Sequence, residues 1–386
     1  MDTKLEILLL EDSESDADLL IRFLKKENLD FNHSRVWRKY DYIKALTDSS
    51  PDLIIADQSM PQFSGMEAFR IAKNERKNIP FILVTGSVSE KTLTEFAKEG
   101  VDDYILKENL LRLPSAIEHV VSKKKIEALH KGIEIAHKQI NDSINYAKII
   151  QDAMQPDLSW LQDIFPSSFV LNCPKDILSG DFYWLQKRED VFFIALADCT
   201  GHGVPGALLA MMGHNLLNEA VNSKKNIHPA EVLDRLNKNV RRNLKNGATS
   251  LHNGMDIALC AIDYKKRTMI YAGANRPLLI IRGKELIEIK PDKISIGDGE
   301  NSKRKFTNQT VSVNKGDRIF IFSDGYTDQF HFQTGKKIMN KRLKELLLTY
   351  SGSTMDEQKL IIANFFKDWK GITEQVDDML LIGIEI

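Results

Sequence analysis

The sequence predicts a multidomain chain: a doubly wound parallel α/β domain, a long helical connector, and a second domain mixing strands and helices. Three patterns predict it. Up to about Val121, short apolar runs alternate with amphipathic stretches, as parallel strands with helices on both faces require. From Ser122 to Gln155 proline is absent, and apolar residues recur at three-to-four spacing. Beyond Pro156, strand-like runs carry aspartates at their ends, beside glycines.

The 386 residues allow two or three domains. With 42% hydrophobic and 28% charged residues, each can bury a core. The formal net charge of -1 supplies no global field for nucleic acid or an anionic membrane. Cys173, Cys199 and Cys260 are odd in number and widely spaced, which excludes a disulfide framework and suits a reducing compartment. No Cys/His spacing suggests zinc. Met1 is followed by Asp2, Lys4 and Glu6, unlike a signal peptide, and no apolar run is long enough to span a bilayer, so a cytoplasmic location is expected.

In the first domain the runs are LEILLL (Leu5–Leu10), DLIIA (Asp52–Ala56), FILVTG (Phe81–Gly86) and DYILK (Asp103–Lys107). Helical patterns such as ADLLIRFLKK and GMEAFRIAKNER lie between them. Ligands of such sheets bind beyond the carboxyl ends of the strands. There stand Glu11 and Asp12, Asp57, Thr85 and Lys107. Three converging carboxylates repel one another. Mg²⁺ would relieve the repulsion, and Lys107 adds a fixed positive charge. These are the parts needed to accept a phosphoryl group. Helix capping accounts for one strand-end aspartate, but not for acid, acid, Thr and Lys in this order.

Residues 1–121 resemble the receiver domain of two-component response regulators, the CheY-like fold, through LLLED, DLIIADQSMP, LVTGS and GVDDYILKENLLRLPSAI. The resemblance implies that Asp57 is the phosphoacceptor, that Glu11, Asp12 and Asp57 hold Mg²⁺, and that Thr85 and Lys107 contact the phosphoryl group. It also implies that Tyr104 is the aromatic switch and that a histidine kinase is the partner.

The connector, residues 122–155, places Ile126, Leu129, Ile133, Ala136, Ile140, Ala147, Ile150 and Met154 on one seam, with Ser143 in its one polar position. A coiled coil forming a parallel homodimer would bury that stripe; the alternative is one long helix packed on its own chain's domains. Lys123–Lys125 reads as solvated surface. INYAKIIQDAMQP resembles the helix entering RsbU- and SpoIIE-like phosphatase domains, and Pro156 marks its end.

In residues 156–386, VFFIALAD ends a buried strand on Asp198, and CTGHGVPG then turns without Cβ obstruction. SGDFYWL sets Asp181 after Gly180. DRIFIFSDGYTD ends on Asp324 before Gly325. EQVDDMLLIGIEI opens the last strand with Asp377 and Asp378. Aspartates this far apart in sequence meet only if sheets bring them together. An all-oxygen set suits Mg²⁺ or Mn²⁺, and two such ions can activate a shared water and orient a phosphate.

SGDFYW, ADCTGHGVPGALLAMMG, GMDIALCAID, YAGANRPLLIIR, FSDGYTDQF and EQVDDMLLIGI resemble, in order, the metal-dependent PPM-type serine/threonine phosphatases of the SpoIIE/RsbU-like branch. This implies an α+β domain with α/β/β/α layering, with helices at Glu231–Lys245, Asn340–Tyr350 and Met355–Gly371. It implies Asp181, Asp198, Asp324 and Asp377 as catalytic ligands of two Mn²⁺ or Mg²⁺ ions. Asp198 would bridge them, the Cys199 carbonyl would complete one shell, and a metal-hydroxide mechanism would need no side-chain nucleophile. The family's basic residue on the phosphate points first to Lys175 and second to Arg276. Ala274 stands where the family commonly has histidine, which leaves the metal set intact. His202 reads as a loop residue. Cys199 lacks a paired histidine and reads as inert. Asp256 and Asp263 read as structural, and Asp328 as a supporting neighbour of the site.

Together these imply a response regulator that dephosphorylates serine or threonine on a partner, by resemblance a STAS-domain anti-sigma-factor antagonist. The sign of control by Asp57 stays open. A phosphatase-like adaptor that binds a regulatory protein is the alternative; losing two ligands would favour it, and all four are present. A DNA-binding output would need a helix-turn-helix and a basic face, and the residues after the receiver offer neither.

Overall fold

The computed structural model describes residues 4–61, 63–75, 79–87, 90–223, 227–244, 254–297 and 304–386, and for 90–93 the backbone alone. Met1 and Lys245, ends of two expected segments, lie outside them. The chain divides into two compact units, Met1–Gln139 and Ile140–Ile386.

The first unit runs β1 (Leu5–Leu10), α1 (Glu14–Lys26), β2 (Phe31–Val36), α2 (Lys39–Asp48), β3 (Leu53–Asp57), α3 (Gly65–Glu75), β4 (Phe81–Thr85), α4 (Glu90–Glu99), β5 (Asp103–Leu106) and the part of α5 (Leu113–Met154) up to Gln139. Among the described residues the strands form one parallel sheet in the order β2-β1-β3-β4-β5. Successive side chains face opposite sides. Ile7, Leu9, Ile55, Ile82 and Val84 pack with Leu20, Leu24 and Ile117. Leu8, Leu10, Ile54, Ala56 and Leu83 pack with Tyr42, Leu46 and Phe69. With both faces covered, β3 and β4 read as continuous apolar runs.

Two expectations change. Lys107 lies past β5, as the first residue of a 3-10 helix, Lys107–Arg112. The expected boundary at Val121/Ser122 falls inside α5, which continues without interruption into the connector. Pro114 is tolerated in the first helical turn, and no proline follows it within the helix. Along α5 the expected seam is open to solvent: Ile126, Leu129, Ile133 and Ile140 are all more than half exposed.

The second unit adds α6 (Ser159–Ile164), β6 (Ser168–Cys173), β7 (Asp181–Arg188), β8 (Val191–Cys199), α7 (Gly203–Asn222), α8 (Pro229–Leu244), β9 (Met255–Asp263), β10 (Thr268–Ala274), β11 (Leu278–Arg282), β12 (Glu285–Ile289), β13 (Gln309–Ser312), β14 (Arg318–Phe322), α9 (Gly325–Asp328), α10 (Met339–Thr349), α11 (Met355–Lys370) and β15 (Met379–Glu385). Among the described residues two antiparallel sheets, β13-β10-β9-β8-β7 and β12-β11-β14-β15-β6, stack face to face. Between them Ile194, Leu196, Ala258 and Cys260 meet Ile280, Ile321, Leu380 and Ile382. The alternate residues Ala195, Ala197 and Leu259 turn outward to Leu217 of α7 and Leu233 and Val240 of α8. On the far side Leu279, Phe320 and Leu381 meet Leu343 of α10 and Ile362 of α11. The layering is α/β/β/α. No helix among the described residues is long and apolar enough to cross a membrane.

Candidate active site

In the first unit, β1 delivers Glu11 and Asp12, and β3 delivers Asp57. Their carboxylate oxygens lie within 4.8 Å of one another. Lys107 reaches in, its Nζ 2.9 Å from Asp57 Oδ2, 2.8 Å from Asp16 Oδ2 and 3.4 Å from Glu11 Oε2. Burial first, and then Asp57, pushes the Glu11 carboxyl up. Burial lowers the Lys107 ammonium, but its bonds to Asp16 and Asp57 outweigh that and raise it. Thr85 is buried at the end of β4, its hydroxyl donating to the Ser87 carbonyl at 3.0 Å. Tyr104 is half-buried against Phe96. Asp16 is the member that the sequence reading missed; its signal is its place in the first turn of α1, beyond the Ser13 cap.

In the second unit, pairing places Asp181 of β7 opposite Asp198 of β8, and Asp198 opposite Asp256 of β9. Three aspartates thus line one end of adjacent strands. The chain leaves β8 through Gly201 (φ 87°) and Gly203 (φ 65°), a turn that residues with a Cβ adopt only under strain. From the other sheet come Asp324, just after β14, and Asp377, just before β15. Burial pushes the Asp198 carboxyl up to about 7; Arg276 opposes that, while Asp324, Asp377 and Asp256 add to it. Asp181 is driven up by burial and then by Asp198. Asp377 is raised by burial and then by Asp324, against the bond it accepts from the Asp378 amide.

This donor set fits hard divalent cations. It is all oxygen, and Asp181 is buried with an Oδ2 that has no hydrogen-bond partner. An orphaned buried carboxylate oxygen costs several kcal/mol unless a cation meets it, by the order of magnitude for charged groups. Neighbouring residues hold these carboxylates in place. Asp378 is buried and accepts from the Lys175 and Gly180 amides, each at 2.7 Å. Ser179 Oγ accepts from the Asp181 amide and donates to its carbonyl. Ser179 is itself held by Gln151 at the end of α5, whose side chain donates to its carbonyl at 2.7 Å and accepts from its amide at 3.1 Å.

The two candidate phosphate cations sit differently from expectation. Lys175 Nζ lies 3.1 Å from His202 Nε2, and His202 Nδ1 lies 2.6 Å from Asp176. His202 therefore ties two loops together. Arg276 is the more central cation, 2.7 Å from Asp198 and 2.6 Å from Asp324. Asp256, read as structural, joins this cluster, 3.6 Å from Arg276. Asp263 accepts from the Lys266 amide in a turn. Asp328 pairs with Lys337. The Cys199 thiol is buried and pushed well up, first by burial and then by Asp181, which makes it a poor nucleophile. Ala274 is buried in β10.

Residues 188–386 match the family described as Stage II sporulation protein E (SpoIIE). The chain belongs to the SpoIIE family. Residues 7–118 match the response regulator receiver domain. The chain therefore joins a receiver domain to a SpoIIE-type PPM phosphatase domain. The matched segment contains Asp198, Asp324 and Asp377, while Asp181 precedes it and is tied to it by strand register. The SiaA-PP2C domain of Pseudomonas aeruginosa superposes with a TM-score of 0.60 at 30% identity, over 65% of this chain and 98% of that one. Phosphoserine phosphatase RsbU of Bacillus subtilis is 30% identical over 163 residues, 41% of this chain and 46% of that protein. Regulatory protein LuxO of Vibrio cholerae is 28% identical over 192 residues, 49% of this chain and 41% of that protein. The chain spans less than half the length of these curated relatives.

Proposed function

We propose that the chain is a response regulator whose output is hydrolysis of phosphoserine or phosphothreonine on a partner protein. The observation that supports this is the strand register that sets Asp181 against Asp198, with Arg276 joining Asp198 to Asp324 and a partnerless buried oxygen on Asp181. Asp181, Asp198, Asp324 and Asp377, with the Cys199 carbonyl, would hold two Mg²⁺ or Mn²⁺ ions. Such ions supply charge neutralisation at phosphorus and an activated water. The protein's own part is to fix the carboxylates through strand register, Asp378 and Ser179. Lys175, whose Nζ lies at the rim beside His202, is the cation this reading assigns to a phosphoryl oxygen.

In the receiver, Asp57 would take the phosphoryl group from a histidine kinase, with Mg²⁺ on Glu11, Asp12 and Asp57. Thr85 and Lys107 would meet the new charge, and Tyr104 would report it. The open seam of α5 supports a homodimer through a parallel coiled coil. RsbU is named a phosphoserine phosphatase, which, with the expected STAS-domain antagonist, makes a phosphoserine-bearing regulator the substrate to try first.

The test is hydrolysis of an aryl phosphate by the purified chain with Mn²⁺, beside Asp198→Asn. Metal-dependent turnover that the variant lacks is expected. Turnover retained by a folded Asp198→Asn would refute the ligand assignment. Silence of the parent, persisting with a phosphoryl mimic on Asp57, would refute the enzyme.

A further inference from the structure

Arg276 stands where the proposed ligands meet. Its Nη2 lies 2.7 Å from Asp198 Oδ2, 2.6 Å from Asp324 Oδ2 and 3.6 Å from Asp256 Oδ2, and its side chain is 12% exposed. The surrounding backbone is built to hold it there. The Tyr271 hydroxyl donates to the Arg276 carbonyl. Gly273 makes room for that bond: a Cβ on it would stand 2.7 Å from the same carbonyl. Asn275, at φ 56°, reverses the chain and donates to Asp256 at 3.0 Å and Ser295 at 2.8 Å. The grip is on the backbone and on one end of the guanidinium. Nε is buried without a partner.

We infer that Arg276 is the counter-cation of the metal-free site and competes with divalent cations for Asp198 and Asp324. This rests on the proposed assignment of those two residues as metal ligands. A hard dication binds carboxylate oxygens at about 2.1 Å, and the guanidinium nitrogen already occupies the approach to both. A cation placed on these two Oδ2 atoms would displace the guanidinium, so loading there requires it to withdraw. A guanidinium does not lose its proton in proteins, so the competition is not relieved by deprotonation. The partnerless Nε lowers the cost of leaving: a fully bonded structural arginine would forfeit more on withdrawal. By linkage, whatever Arg276 contributes to the metal-free protein is subtracted from metal affinity. The device holds mutually repelling carboxylates together without metal, and sets a threshold concentration for loading.

The test is calorimetric titration of Mn²⁺ into the full-length chain, every protein carrying Asp12→Asn to silence the receiver site. Arg276→Ala is expected to bind Mn²⁺ about tenfold or more tightly than the parent, a small part of what breaking a buried ion pair costs. Arg276→Lys, which keeps the charge but not the fork, should fall between them. The melting temperature of metal-free Arg276→Ala should drop, and Mn²⁺ should restore it. Equal or weaker Mn²⁺ binding by Arg276→Ala would overturn the inference while Asp198-dependent binding persists. Absence of any binding that Asp198→Asn removes would instead overturn the ligand assignment. If Arg276→Ala does not fold, Arg276→Gln carries the same comparison.

Discussion

Gln151 offers a direct way to ask whether the helix entering the phosphatase unit steadies Asp181, a proposed metal ligand. Its amide grips both backbone groups of Ser179, and Ser179 grips both backbone groups of Asp181. Gln151 is 5% exposed and Ser179 is fully buried, so water does not replace the lost partners. Replacing Gln151 with Met keeps most of the volume and removes the amide. A buried N–H and a buried C=O are then left unmet, at roughly 1–3 kcal/mol each before relaxation. Taking a relaxed sum of about 2–3 kcal/mol, and about 2–4 °C per kcal/mol for a unit of this size, the melting temperature should fall by about 4–12 °C. The Mn²⁺ concentration for half-maximal turnover should rise as well, because a loosened Ser179 spreads the positions Asp181 visits. Thermal unfolding and a Mn²⁺ titration of aryl phosphate hydrolysis measure the two effects. A fall of less than about 2 °C, with unchanged half-saturation, would refute the reasoning. A stability loss alone would leave Gln151 structural, with no hold on the ligand.

Two further outcomes follow from named contacts. Glutamate at Leu129 and Ile133 places charge in the seam of α5, so sedimentation should show a dimeric parent becoming a monomer; a parent monomeric at tens of micromolar, by a typical working range, would remove the coiled-coil proposal. Lys107→Ala removes the cation shared by Glu11, Asp16 and Asp57, and should destabilise the receiver by roughly 1–2 kcal/mol, allowing for its partial exposure. Mg²⁺ should recover part of that in urea unfolding, and an unchanged midpoint would argue against a shared counter-ion.

What could be read in advance depended on whether the physics was local. Strands buried on both faces announce themselves as unbroken apolar runs, as in Leu53–Asp57 and Phe81–Thr85. The edge strand Phe31–Val36 has mostly solvent-facing polar residues and gives no such run. The aspartates beside glycines were legible because a strand end and a tight turn are each local features. Their meeting was not local: it needs the register that sets Asp181 against Asp198 and Asp198 against Asp256, which no single segment carries. The boundary at Val121/Ser122 was illegible because nothing there stops a helix, so the receiver's last helix and the connector became one. Arg276 ranked low for the same reason that Gln151 went unnoticed. An arginine after a β-strand and a glutamine in a long helix carry no local sign of their partners, and only the folded sandwich turns one toward two carboxylates and the other toward a buried serine backbone. The carboxylates could be predicted because their chemistry demands a cation. Which side chain supplies positive charge before a metal arrives is decided by the β10–β11 turn, whose shape depends on Tyr271, Gly273 and Asn275 acting together. Substitutions in that turn, away from every proposed ligand, should therefore shift metal affinity through Arg276, which a view confined to the four aspartates would not anticipate.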